Sequence, residues 1–197
     1  MHARRLLALG LVALASASCT TTFGEGRKAL SQGRYTDAVT HFEEVLDKHP
    51  DRVDALLGVG VAKYRAGRYD EALDPLGRAV AREPKLTVAR LYLGLAHLRR
   101  AEIGPVEEHF KALVAEAPGT RLAAQTERVL HLLRGPDAAS DDVRTFMAAS
   151  LENEYEAARE VAEAQRHARD AEMRWRDPYP YYYGYGHPFY HRSRIRR

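Results

Sequence analysis

The side chains able to do chemistry are few and scattered. Cys19 is the only cysteine, so a disulfide within the chain is impossible. His187 and His191 lie near the C-terminus, with His167 upstream. Imidazoles bind metals, but a pair flanking Pro188 in a Gly- and Pro-rich stretch lacks the fixed spacing of a metal site, and no metal is expected. Glu43-Glu44 and Glu107-Glu108 are adjacent acid pairs. Neighbouring residues on a helix point about 100° apart, so these carboxylates diverge and cannot converge on one substrate. No Gly-rich phosphate loop, His-Glu-x-x-His or nucleophile elbow is present. The expectation is a protein that is not an enzyme and carries no cofactor.

What must position any binding residue is a repeat. Pro50, Pro84 and Pro118 fall at equal intervals along the chain. Gly33-Arg34-Tyr35 returns at that same interval as Gly67-Arg68-Tyr69. A fixed period of this length marks a helical repeat array. Within the second unit, Leu56, Val59, Gly60 and Tyr64 recur at helical spacing before the Gly67 turn. Tyr69, Ala72, Leu73, Leu76 and Ala79 mark a second helix. Gly60 and Ala72 are small enough for paired helices to cross closely, and Pro84 is expected in the first turn of the next helix, where a missing N–H costs nothing. Leu122, Val129, Leu130 and Leu133 give a seventh helix that covers the last apolar face as a cap.

These residues resemble the tetratricopeptide repeat family. Its small residue in the first helix is matched by Gly26, Gly60 and Gly94, and its turn glycine by Gly33 and Gly67, with Ala101 departing. Its second-helix positions are matched by Ala38, Ala72, Phe42 and Phe110, with Val106 and Leu76 departing, and its proline by Pro50, Pro84 and Pro118. The resemblance covers roughly residues 20–118. It implies an all-α fold: a right-handed superhelical array of three helix-turn-helix repeats with a capping helix. It also implies that the first helix of each pair lines a concave groove. The groove positions would be Phe23, Arg27 and Leu30 in repeat one, and Leu57, Val61, Tyr64 and Arg65 in repeat two. In repeat three they would be Leu91, Leu95, Leu98 and Arg99. Leu57 and Val61 fall where a carboxylate clamp would need Lys and Asn, so that mode is excluded. An apolar groove with a basic lip from Arg27, Arg65 and Arg99 suits a peptide or helix of a protein partner. Two alternatives stay open: the leucines pack inside the array, or the chain's own C-terminal helix fills the groove.

The N-terminus has its own logic. Arg4 and Arg5 precede an uncharged apolar run, Leu6 to Ala15, and small residues to Cys19. This reads as a secretory signal over residues 1–18, too short to span a bilayer. Ala17-Ser18-Cys19 resembles the lipobox of bacterial lipoproteins, which implies lipidation of Cys19 and attachment to a membrane by a lipid anchor. The alternative is ordinary cleavage nearby, leaving a free thiol. Thr20 in place of Asp implies sorting to the outer membrane, facing the periplasm. The array with its cap then spans residues 19–134.

Gly135-Pro136-Asp137 breaks the pattern. Beyond it, Val143, Met147, Leu151, Tyr155, Ala158 and Val161 set an apolar stripe on a long charged helix over residues 138–176, about 50 Å if continuous. Its first half should pack on the array and its second half project, or the helix dimerises as a coiled coil. Residues 177–197 hold six of the eleven tyrosines, with Pro, Gly and His, and read as a disordered low-complexity tail. From Arg176 onward there are five arginines against one acid, whereas residues 19–175 carry 23 basic and 26 acidic residues, so basic character is confined to this end. Nucleic acid is not an expected partner. The reading that follows is a lipid-anchored scaffold or adaptor for protein–protein interaction in the bacterial cell envelope, in an assembly, secretion or pilus system. The alternative is an envelope structural protein whose aromatic, basic tail binds cell wall or lipopolysaccharide.

Overall fold

The computed structural model describes residues 21–135 and 140–176, with side chains as far as Met173. Cys19, the signal segment and the tail with His187 and His191 lie outside the described residues. Eight helices and no strand occur among the described residues: α1 (residues 21–31), α2 (Tyr35–Lys48), α3 (Val53–Arg65), α4 (Tyr69–Arg82), α5 (Thr87–Arg99), α6 (Ile103–Glu116), α7 (Arg121–Leu132) and α8 (Asp141–Arg176). They form three helix-turn-helix repeats, α1–α2, α3–α4 and α5–α6, with α7 as the cap and α8 after it. None is long and apolar enough to cross a membrane.

The small residues of the first helices explain the crossing. A Cβ at Gly60 would collide with the Leu76 side chain, and one at Gly94 with the Phe110 ring. Each of these glycines therefore receives a large side chain from the second helix of its own repeat. Phe42 is held from two sides, because Cβ atoms at Gly26 and Gly58 would both come within 2.8 Å of its ring. Phe42, Leu76 and Phe110 are each at most 1% exposed, and full burial of such a side chain stabilises by about 1.5–3 kcal/mol.

Helices α3 and α5 are buried nearly all round. Ala55, Leu56, Gly58, Val59, Gly60, Val61, Ala62 and Tyr64 are buried in α3, and Ala89 to Leu98 almost without break in α5. A helix apolar on every side needs partners on every side. The second helices α4 and α6 instead bury one stripe: Ala72, Pro75, Leu76 and Ala79 in α4, and Val106, Phe110 and Leu113 in α6.

The turns between paired helices place Gly33 and Gly67 at φ +73° and +77°. Ala101 takes the same left-handed conformation, at φ 61°, so the third turn keeps its geometry at the cost of a crowded Cβ. Pro84 is not in a helical first turn. α4 ends at Arg82 and α5 starts at Thr87, so the proline lies between them. The residue before a proline is pushed out of the α region. Glu83 accordingly leaves the helix at φ −126°, ψ 86°, and Lys85 and Leu86 complete the turn. The Pro84 carbonyl accepts a hydrogen bond from Arg90 Nε at 2.8 Å. The cap is fixed by Thr120, whose Oγ1 accepts from the Ala123 amide at 3.1 Å.

Two compact units divide the chain, and the division falls within α8, after Glu154. In the first unit Met147, Ala148 and Leu151 are buried core residues while Phe146 is 71% exposed. In the second unit the described residues are mostly exposed, Val161 and Met173 among them. Arg159 pairs with Glu156 at 3.1 Å and Glu163 at 3.5 Å there, contacts internal to the helix.

Candidate functional site

The face made by α1, α3, α5 and α7 carries the residues that the repeat pattern assigns to the groove. Their exposure splits them into two groups. Leu91, Leu95 and Leu98 are fully buried, and Val61 and Tyr64 nearly so. Phe23, Leu30 and Leu57 are half-buried, and Arg27 is exposed. The first group is not open groove surface. Residues 145–154 of α8 are tied to this face by hydrogen bonds from Tyr64 and Arg99, as expected of the alternative in which the chain's own C-terminal helix fills the groove.

Polar contacts border this segment on both sides. On one side the Tyr64 hydroxyl of α3 donates to Glu152 Oε2 at 3.2 Å, and Arg99 Nη1 of α5 donates to Thr145 Oγ1. On the other side Gln125 Nε2 of α7 donates to Ser150 Oγ at 3.3 Å, and Arg121 Nε pairs with Glu154 at 3.1 Å. Between these rows lie Met147, Ala148 and Leu151, all removed from solvent. An apolar stripe bordered by polar contacts is the arrangement of a helix seated in a groove. The stripe through Met147 and Leu151 is visible in the sequence. Its polar borders, Thr145 with Glu152 and Ser150 with Glu154, are not, because nothing in the repeat pattern says what stands opposite them.

Tyr64 is the centre of an aromatic group. Its ring lies 5.4 Å from Tyr69 and meets Tyr92 edge-on at 5.3 Å. Burial, reinforced by the Glu152 carboxylate, pushes the Tyr64 hydroxyl well above the ordinary tyrosine pKa, so it remains a donor. Two of the three lip arginines are turned to this group. Arg65 Nη2 donates to the Tyr92 hydroxyl at 3.0 Å, and the Arg99 guanidinium lies 5.2 Å from the Tyr69 ring centre.

The half-buried group has a different character. The Phe23 ring lies 5.4 Å from Phe42 and carries the Arg52 guanidinium 4.5 Å from its centre. Arg52 also forks onto Asp54 at 2.7 and 3.0 Å. Phe23 and Leu30 pack on the core of Ala29, Ala38, Val39 and Phe42, while Leu57 packs on Leu56, Ala79 and Ala89. This end of the face is apolar and edged by Arg27.

A polar cluster that the sequence does not announce joins α5 to α6. His97 and His109 stack with ring centres 5.6 Å apart, and His97 Nδ1 lies 2.6 Å from Glu102 Oε2. Burial lowers the His109 pKa. No group of three or more His, Cys, Asp or Glu able to hold a metal occurs among the described residues.

A family model described as tetratricopeptide repeat matches residues 23–86. A comparison with curated proteins finds no match. Among solved structures, the first TPR domain of Spaghetti (RPAP3) bound to an HSP90 peptide is 18% identical, with TM-score 0.54, covering 57% of this chain and 90% of that one. The first TPR domain of human RPAP3 is 18% identical with TM-score 0.53, covering 68% and 95%. The Yersinia enterocolitica type III secretion translocator chaperone SycD is 18% identical with TM-score 0.56, covering 60% and 85%. At this identity the likeness is one of fold.

Proposed function

We propose that this chain, whose array is a tetratricopeptide repeat array, is a lipid-anchored adaptor of the bacterial cell envelope, holding a protein partner on the open end of its repeat face. The fold is that of a protein–protein interaction scaffold. The observation that carries the reading is the half-buried apolar set Phe23, Leu30 and Leu57, edged by exposed Arg27. Apolar side chains left part-open beside a cation are what a partner helix or peptide needs. The peptide-bound RPAP3 domain is a precedent for a peptide on such a fold. Here Leu57 suits an apolar segment rather than a terminal carboxylate. Support for the anchor is sequence alone: the apolar run Leu6 to Ala15 followed by Ala17-Ser18-Cys19.

A photo-crosslinking residue at Leu57 in living cells should give discrete adducts with a protein, and the same residue at exposed Lys111 on α6 should not. Leu57→Asp should remove the partner from pull-downs while the helical signal is retained. Unchanged recovery sinks the groove reading. Cys19→Ser should move the protein from the membrane fraction to the soluble one, and a variant that stays membrane-bound refutes the anchor.

A further inference from the structure

We infer that the face over repeats two and three is a helix-binding site occupied by the chain's own residues 141–154, and that its preferred external ligand is an amphipathic helix bearing a carboxylate where this chain has Thr145. The inference rests on the partner-binding role proposed above and names the ligand chemistry for the closed part of that face.

The segment is held unevenly. Its apolar contribution is small: Met147, Ala148 and Leu151 are buried, while the largest apolar side chain of the segment, Phe146, is left to solvent at 71% exposure. Its polar contacts are not equal. Tyr64 meets a carboxylate, Glu152, and Arg121 meets another, Glu154. From this segment Arg99 receives only the neutral hydroxyl of Thr145, and its buried Nε has no hydrogen-bond partner. A guanidinium is a planar fork made for a carboxylate, and a charge-assisted pair is roughly twice as strong as one to a neutral oxygen. The resident segment thus leaves Arg99 the least satisfied of the groups that seat it. A helix with Glu at that position, the same apolar stripe and the acid that here is Glu152 would satisfy all of them. Occupancy by the resident segment lowers the apparent affinity of any such ligand by the fraction of time the face stands open.

The probe is a fluorescent synthetic peptide of residues 140–154, with a second carrying Thr145→Glu, titrated against the full chain. In a Leu151→Asp chain, whose resident segment is unseated, the native-sequence peptide should bind, and at least about tenfold more tightly than to the unaltered chain. The Thr145→Glu peptide should bind that chain about threefold more tightly again, a gain limited by the exposure of the Arg99–Thr145 contact, and lose this gain when Arg99→Met is added. A folded Leu151→Asp chain that binds neither peptide overturns the inference, as does equal binding to the unaltered chain. If Leu151→Asp abolishes the cooperative melt, Thr145→Glu placed in the full chain decides. It should raise the melting temperature, and the rise should vanish with Arg99→Met; no rise refutes the acid preference. The titration needs no cellular partner, so its failure and that of the Leu57 crosslinking are read separately.

Discussion

His109 is the side chain whose protonation the fold most plainly opposes. Burial lowers its pKa, against a smaller opposite pull from Glu108, and the neighbouring His97 ring adds to the lowering. A histidine depressed in the folded state binds fewer protons there than in the unfolded chain, where the value is about 6.5. Its contribution is therefore complete above about pH 6.5 and is lost as pH falls below it. The urea midpoint should drop between pH 7 and pH 5, and His109→Gln should flatten that limb. Equal slopes for the two proteins would show that His109 is not responsible. Glu102 is held below the usual carboxylate range by Arg100 and His97, so its share is lost only at lower pH, and the two effects separate. Nothing in the sequence announces the histidine pair, because His97 and His109 meet across two helices and share no repeat position. By contrast Gly26, Gly60 and Gly94 are readable as crossing points, since the period sets each against Phe42, Leu76 or Phe110 of its own repeat. Gly58, on the other side of Phe42, is not, because positions 24 and 92 in the same register hold Gly and Tyr.

Turns and borders are where elements depart from expectation. The third turn lacks the glycine of the first two, yet Ala101 adopts their left-handed backbone. A non-glycine residue there costs about 1–2 kcal/mol, part of which glycine returns as lost chain freedom. Ala101→Gly should therefore stabilise by about 1 kcal/mol, a rise of roughly 2–4 °C in melting temperature for a chain of this size. A melting point that stays put or falls would mean the strain is relieved elsewhere in the turn. The helices themselves are legible because the repeat period fixes α1 to α6 at once. The closing of the groove stands in the sequence only as one alternative, because the stripe of α8 says that its first half packs on the array but not on which face. Thr145, Glu152 and Glu154 look like ordinary solvated residues until Arg99, Tyr64 and Arg121 are seen opposite them.

At the scale of the molecule, one long helix belongs to two compact units that meet after Glu154. Burial through Leu151 and predominant exposure from Ala157 onward give the two parts of α8 different protection. Amide hydrogen exchange should be slow over residues 145–154 and fast over residues 157–173, where helix propensity and internal ion pairs act without a core. Uniform protection along α8 would contradict this division. The division is hidden from sequence reading because the helix continues through it.

The contacts that seat residues 141–154 also differ from the rest in the distance they span along the chain. Tyr64 and Glu152 are 88 residues apart, and Arg99 and Thr145 are 46 apart. The crossings inside each repeat, such as Gly94 with Phe110, join neighbouring helices of one hairpin. Local pairs form early and long loops close late. A chain exported N-terminus first presents its three repeats before Glu152 has followed, so they can assemble first. Until that segment arrives, the face over repeats two and three stands bare. The order of arrival thus gives every molecule one interval in which that face has no occupant, and a factor that binds there must either act in that interval or compete with the segment that ends it.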